Sequence, residues 1–151
     1  RGVPWVLDPV KVERSPDRLA FARELLAFAP AVVRANRAEM DAIAPGAGPV
    51  RATTGEVDLV EADGRRLRIG GGDPMMAHVT AMGCAGTGLV AAFLAVEPDR
   101  FAAAGAALIC LKVAGEMAGE EARGPGSFPA ALLDALYGLD ADHLAARARL
   151  A

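Results

Sequence analysis

The segment VTAMGCAGTGLVAAFLAV, residues 79–96, joins a glycine-rich turn to a long apolar helix. The first N–H groups of a helix have no partner within it, and the helix dipole adds positive partial charge there. Gly83, Gly86 and Gly88 would let a ligand approach this backbone closely. The segment therefore predicts an anion site with the thiol of Cys84 at its mouth. The alternative interpretation is a tightly packed helix start with a buried cysteine.

Short apolar segments alternate with helical patterns outside this segment. We predict strands at 3–8, 31–34 and 50–54, a hairpin of 57–60 and 65–69, and helices over 16–29, 37–43, 84–96, 99–118, 127–137 and from 140. This alternation predicts an α/β fold with a mostly parallel sheet. Ligands bind such sheets beyond the carboxyl ends of the strands. Asp8, Arg34 and Thr54 are expected at those ends, at the same edge as Cys84.

Composition limits the classes of protein to consider. The chain has 151 residues, enough for a single domain, and a net charge of −3, which predicts no nucleic-acid partner. No signal peptide is visible, and no uninterrupted apolar run reaches the ~18 residues of a membrane span, so no membrane partner is expected. Two cysteines in a chain of this size do not suggest a disulfide framework, which favours the reducing cytoplasm.

The acidic candidates each have two interpretations. Asp8 follows an apolar segment and precedes Pro9, so it could hold Mg²⁺ through water or cap a turn. Glu39 lies three residues after Asn36, which is the spacing of a capping box. In the functional interpretation Glu39 reaches the water shell of the metal and Arg34 binds phosphate through its forked guanidinium.

The remaining candidates carry weaker signals. The segment TTGE at 53–56 could bond a phosphate or the adenine side of a nucleotide, or it could simply end a strand. Cys84 could act as a base toward an alcohol, whereas Cys110 lies in an apolar run and is expected to pack in the core. The chain contains neither a P-loop nor a dinucleotide fingerprint, so any nucleotide is bound in another way.

Seven segments together resemble one family. They are PWVLDPV (4–10), RANRAE (34–39), TTGEVDLV (53–60), GGDPMM (71–76), VTAMGCAG (79–86), VAAFLAVEPD (90–99) and GPGSFPAALLDALYGL (124–139). In this order they are similar to the hydroxyethylthiazole kinases, the thiamine-salvage members of the ribokinase-like superfamily. The cysteine is the sharpest mark, since most ribokinase-like kinases carry an aspartate there. The resemblance implies a three-layer αβα fold and transfer of the ATP γ-phosphate to a thiazole alcohol.

The resemblance also implies a role for each candidate residue. Cys84 matches the catalytic cysteine, and the N–H groups of Gly83 and Cys84 match the anion hole. Arg34 and Thr54 match ATP-binding positions. The resemblance further implies Mg²⁺ near two acidic residues, which match Asp8 and Glu39. It implies a substrate contact at the position of Ala81. It also implies a homotrimer with active sites at subunit contacts.

Some departures from the family pattern qualify this expectation. Ala81-Met82 stands where the family has Gly-Thr, which could shift substrate position. The family has an N-terminal portion that has no counterpart in this chain. It also has an internal βα element where this chain has only the bridging residues 40–52. We therefore expect residues 1–151 to form one ribokinase-like domain that is an incomplete, C-terminal portion. Two rival functions remain open: a non-catalytic truncated domain that binds nucleotide or a partner, and a related pyrimidine or pyridoxal kinase.

Overall fold

A single mixed sheet organises the molecule, described over residues 2–151 by a computed structural model. Its six strands lie side by side in chain order, from β1 to β6. They span Val6–Leu7 (β1), Val32–Asn36 (β2), Val50–Thr54 (β3), Asp58–Ala62 (β4), Arg65–Gly70 (β5) and Arg149–Leu150 (β6). The first three strands are parallel, whereas β4, β5 and β6 each run antiparallel to the strand before.

The strand directions correct one detail of the expected architecture. The α/β class is confirmed, but only two of the five pairings in the described sheet are parallel. Short connections between neighbouring strands are one reason: residues 55–57 join β3 to β4, and β4 and β5 form a hairpin. Its turn places Asp63 and Gly64 at φ values of 50° and 75°, which an Asp-Gly pair adopts readily. Tight hairpins join antiparallel strands only, whereas parallel neighbours need a crossover connection.

Six helices flank the sheet. They span Pro16–Leu26 (α1), Arg37–Ile43 (α2), Met82–Leu94 (α3), Arg100–Glu121 (α4), Phe128–Tyr137 (α5) and Ala141–Arg147 (α6). Short 3₁₀ turns lie at Val12–Arg14 and Pro74–His78. The helix starts follow the expected capping signals: Ser15 caps α1 ahead of Pro16, and Asp99 caps α4.

Alternation along β2 divides the core between two layers of helices. Val33 and Ala35 pack in one cluster with residues of α1 and α2, whereas Val32 packs in another with residues of α3 and α4. Neighbouring strand residues point to opposite faces, so one strand serves both layers. Helices on both faces of the sheet give the expected three-layer arrangement, and α5 packs on the outer side of α4.

The long helix α4 packs against the sheet at β3, β4 and β5. Small residues allow its neighbours to approach closely: a Cβ at Gly105 would lie 2.9 Å from Leu67 Cδ2. By length and composition α4 is the one helix of residues 2–151 that could cross a membrane, which the sequence alone did not suggest. Most of its apolar surface is instead buried in the protein, as in the core helix of a folded domain.

Candidate functional site

One cavity of about 1160 Å³ gathers all seven residues for which the sequence predicts a catalytic, binding or metal role, whereas Gly86 and Gly88 do not line it. It lies beyond the carboxyl ends of the parallel strands β1 to β3 and at the start of α3. Ligands are expected in this position on an α/β sheet. The predicted residues on its wall are Asp8, Arg34, Glu39, Thr54, Ala81, Gly83 and Cys84.

The start of α3 forms one wall of the cavity. The helix begins at Met82, two residues earlier than expected, so Gly83 lies within it rather than in a preceding turn. No side chain in residues 2–151 caps this end. The N–H groups of Gly83 and Cys84 belong to the first turn, where helix geometry supplies no acceptor. Cys84 is exposed on the cavity wall and is a free thiol, which is where the functional interpretation requires it.

Ala81 lies immediately before α3 in an unusual backbone conformation. Its φ is 66° and its ψ is 10°, in the left-handed region. This region favours glycine, because a Cβ crowds the backbone there. The conformation gives a physical reason for the glycine that the family carries at this position. The alanine of this chain keeps the conformation at some energetic cost.

Arg34 is buried below α3. It is the third residue of β2 rather than its last, so the expectation of a strand-end position was wrong. Its side chain still reaches the cavity because alternation directs it to the face covered by α3. The guanidinium lies 3.6 Å from Asp8 Oδ2, and a Cβ at Gly86 would lie 2.8 Å from its Nη2. Glycine at 86 therefore leaves room for the arginine, not for a ligand.

Asp8 follows β1 and is held by a residue that the sequence did not indicate. Thr87 donates a hydrogen bond from Oγ1 to Asp8 Oδ2 at 2.6 Å. This contact is shorter than the 3.6 Å between Asp8 Oδ2 and Arg34 Nη1. Thr87 lies one turn beyond Cys84 on α3, so the hydroxyl ties the carboxylate to the helix that carries the thiol.

Glu39 has the capping role that its spacing indicated. Its Oε2 accepts from the N–H of Asn36 at 2.9 Å, and the side chain of Asn36 accepts from the N–H of Glu39 at 2.9 Å. Its Oε1 also accepts from the N–H of Lys11 at 2.8 Å. Each carboxylate oxygen has two lone pairs, so these bonds leave capacity toward the cavity. The capping and functional interpretations are therefore compatible.

A buried ion pair supports the loop after Thr54. Lys112 of α4 donates to the carbonyls of Gly55 and Glu56 at 2.7 and 3.0 Å, and its Nζ lies 3.5 Å from Asp58 Oδ1. Asp58 also accepts from the N–H of Gly55 at 2.8 Å. Burial raises the pKa of Asp58, because desolvation disfavours the carboxylate, and the charge of Lys112 opposes this shift.

Sequence reasoning missed Asp58 and Lys112 on this wall, and Thr87, which holds Asp8 from α3. Each acts through a contact between distant segments: Thr87 is 79 residues from Asp8, and Lys112 is 57 residues from Gly55. A lysine inside the apolar pattern of α4 was the one available signal. Charged side chains are rarely buried without a partner, so its position called for a nearby carboxylate.

The carboxylates of the cavity do not form a closed metal cage. Residues 2–151 contain no group of three or more His, Cys, Asp or Glu side chains placed to hold an ion. Mg²⁺ commonly keeps several waters and takes only one or two carboxylates together with substrate phosphates. Asp8 and Glu39 fit this second arrangement, since both line the cavity and Asp8 lies 3.6 Å from Arg34.

A second cavity, of about 670 Å³, lies beside the hairpin turn and contains none of the predicted residues. Glu61 on its wall is already paired, at 2.6 Å from Arg66 and 3.4 Å from Arg51. We therefore assign the functional site to the larger cavity.

Comparison with known proteins gives a consistent result. The model of the hydroxyethylthiazole kinase family matches residues 41–142. The chain is 46% identical over 149 residues to a probable hydroxyethylthiazole kinase of Agrobacterium fabrum, covering 99% of this chain and 61% of that protein. It is 42% identical over 176 residues to a hydroxyethylthiazole kinase of Cereibacter sphaeroides, covering 99% and 66%.

A solved structure is similar throughout. The hydroxyethylthiazole kinase of Pyrococcus horikoshii OT3 superposes with a TM-score of 0.91 at 29% identity, covering 98% of this chain and 65% of that one. The chain thus spans about 61–66% of the length of these relatives. The Cereibacter alignment runs over 176 positions against 151 residues here, so that relative carries extra residues inside the matched region.

Proposed function

Because this chain belongs to the hydroxyethylthiazole kinase family, we propose that the protein transfers the γ-phosphate of ATP to the hydroxyl of 5-(2-hydroxyethyl)-4-methylthiazole. One observation carries the proposal: all seven residues chosen from the sequence line a single cavity at the start of α3. Thiazole phosphate made in this way would enter thiamine biosynthesis or salvage.

Two groups on α3 would serve the transfer itself. The alcohol oxygen attacks the γ-phosphorus, the bond to the β-phosphate oxygen breaks, and ADP leaves. Cys84 orients the hydroxyl and, as thiolate, takes its proton. The N–H groups of Gly83 and Cys84 hold the charge on the transferred phosphoryl group. Exposure of Cys84 on the cavity wall supports these roles.

The nucleotide would lie across the strand ends. Arg34 pairs with its phosphates, and Thr54 donates a hydrogen bond to it. Asp8 and Glu39 would hold the Mg²⁺ that accompanies ATP, through water, and this ion would supply neutralisation of phosphate charge. Ala81 would contact the thiazole from the turn before α3. The position of both carboxylates on the wall of one cavity, with Asp8 3.6 Å from Arg34, supports the metal role.

A transfer assay tests the proposal directly. The chain is incubated with ATP, Mg²⁺ and the thiazole alcohol, and mass spectrometry measures thiazole phosphate against ADP. We expect equal amounts of the two products, and none from Arg34→Ala. Cys84→Ser should lower kcat about 100-fold, the scale of a lost general base, while the affinity for ATP stays nearly constant. Equal turnover in Cys84→Ser would remove the thiol from the mechanism.

Two further outcomes separate the rival functions. ATP binding without any transfer would favour a non-catalytic nucleotide-binding domain. Faster phosphorylation of a hydroxymethylpyrimidine or pyridoxal than of the thiazole in a competition assay would favour the related kinases.

We also propose a homotrimer in the cytoplasm. Leu133 and Tyr137 are exposed apolar side chains one turn apart on α5, which supports a subunit contact on this face. Both cysteines are free, which supports a reducing compartment. Light scattering should give three times the 15.5 kDa mass of the chain; a monomer at assay concentration would contradict the trimer.

A further inference from the structure

Lys112 is the buried cation of the cavity wall that neither the resemblance nor the transfer mechanism uses. Only 7% of the residue is exposed, and it lies in the middle of α4, a helix that otherwise contributes apolar and small residues to the core. A lysine in such a position needs compensation, since an unpaired buried charge is strongly destabilising. The contacts around the Lys112 ammonium therefore indicate its role in the structure.

The three protons of the ammonium have three acceptors. They are the carbonyl oxygens of Gly55 and Glu56, at 2.7 and 3.0 Å, and Asp58 Oδ1 at 3.5 Å. An ammonium group has three donors and no more. Two of its donors are thus bound by carbonyls and Asp58 is its counter-ion, so the protein itself compensates the charge of Lys112.

Gly55 and Glu56 belong to the short loop between β3 and β4, and Asp58 is the first residue of β4. The N–H of Gly55 closes the loop on Asp58 Oδ1 at 2.8 Å, so one carboxylate joins both the loop backbone and the lysine. Thr54 is the last residue of β3 and lies directly before this loop on the cavity wall. Its hydroxyl donates a long hydrogen bond of 3.4 Å to the carbonyl of Ala35 on β2, and the loop that follows is the second contact that limits its place.

The stem of the lysine also supports a second loop on the same side of the cavity. A Cβ at Gly72 would lie 2.9 Å from Lys112 Cδ and 3.1 Å from Met76 Sδ. Gly72 has a φ of 82°, which further restricts the position to glycine. One side chain of α4 thus contacts both loops that follow the ends of β3 and β5.

We propose that Lys112 is a positioning residue for nucleotide binding: it fixes the loop of residues 55–58 on α4 and thereby places Thr54 against the nucleotide. This inference rests on the proposed function, because it assumes that Thr54 contacts ATP. It assigns Lys112 no contact with the substrate.

The test measures ATP affinity by calorimetry in a double-mutant cycle on the full chain. Lys112→Met and Thr54→Ala should each weaken binding about tenfold, the scale of one coupled contact. The double variant should bind about as weakly as either single variant, because both changes remove the same contact. Arg100→Met removes an exposed cation from the same helix and should leave the affinity unchanged.

Additive losses in the double variant would overturn the proposal, since a purely structural lysine predicts independent effects. Equal affinity of Lys112→Met and the unaltered chain would also overturn it while leaving the proposed function intact. Failure of the unaltered chain to bind ATP would overturn the proposed function first, and this inference with it.

Lys112→Met leaves the Asp58 carboxylate buried without its cation, so this variant has a folding risk. The paired variant Lys112→Met with Asp58→Asn removes both charges and replaces Lys112→Met in the cycle if needed.

Hydrogen exchange tests the same inference without ATP. The amides of residues 55–58 should exchange faster in Lys112→Met than in the unaltered chain, and an unchanged rate would overturn the proposal.

Discussion

Two side chains at the start of α3 determine how the helix meets the cavity. Cys84 supplies the thiol, and Ala81 turns the chain into the helix with a left-handed φ of 66°. The family pattern has glycine at this turn, and the structure gives the reason. A residue that works against its own conformational preference is often kept near a functional site.

We predict that Ala81→Gly stabilises the protein. Relief of the left-handed strain should exceed the entropy that glycine loses on folding and add about 1 kcal/mol to the free energy of unfolding. For a chain of this size the midpoint of thermal unfolding should rise about 2–4 °C by differential scanning calorimetry. A fall in the midpoint would show that the turn is not strained in solution.

We predict opposite effects for two glycines of α3. Gly86→Ala places a Cβ 2.8 Å from Arg34 Nη2 and 3.0 Å from Leu111 Cδ2, so it should displace the arginine and cost about 1–3 kcal/mol of stability. ATP affinity should fall with it. Gly88→Ala meets nothing within 4 Å and should stabilise the helix by about 0.5–1 kcal/mol.

The pair is measured together by urea unfolding and ATP calorimetry. Gly88 belongs to the same helix and is exposed, so it controls for the general effect of alanine in α3. Similar ATP affinities in the two variants would mean that Arg34 does not depend on the space beside Gly86.

At the scale of elements, α4 depends on a charged contact at its first turn. Asp99 caps the helix by accepting from the N–H of Phe101 at 3.0 Å. It also binds the guanidinium of Arg65 on β5 through two contacts of 2.6 and 3.0 Å. These bonds to Arg65 lower the pKa of Asp99 to about 2. The contact joins the hairpin to the helix that supports it.

We predict a pH dependence from this contact. The pKa is lower in the folded protein than the ordinary value of 3.8, so the stabilisation is complete above that value and is lost as the pH falls toward 2. The difference in unfolding midpoint between the unaltered chain and Asp99→Asn should therefore shrink between pH 5 and about 2. A difference that stays constant over this range would exclude Asp99 as the titrating group.

At the scale of the whole molecule, both helical layers share one sheet, and β2 contributes to both clusters. Trp5, the one tryptophan of the chain, packs against the cluster under α1 and α2 and donates from Nε1 to the carbonyl of Phe28 at 3.2 Å. Most helical residues lie on the other face, in α3, α4 and α5.

We predict that the chain unfolds as one unit. Tryptophan fluorescence reports the layer of α1 and α2, and far-ultraviolet circular dichroism reports mainly the layer of α4. Their urea transitions should coincide, because the layers share a sheet and cannot lose packing separately. An earlier transition in fluorescence would show that residues 1–151 do not form a single cooperative domain.

The sequence predicted most elements, because they depend on local patterns; its seven site candidates line one cavity, and their roles stay predictions. Apolar runs located β3 and the hairpin, and the spacing of Asn36 and Glu39 located the start of α2. It missed β6, whose two residues gain their strand character only by pairing with Ile69 and Gly70. It missed Thr87 and Lys112 for the same reason, since long-range contacts leave no periodic trace in the chain.

The dense packing of α4 beneath the site has a consequence for engineering. Gly115 leaves space for Met76, and Gly119 leaves space for Asp73. The position of the loop at 73–76 therefore depends on the small residues of α4 beneath it. A methyl group added at 115 or 119 would displace Met76 or Asp73, which line the cavity, and would change its shape from beneath.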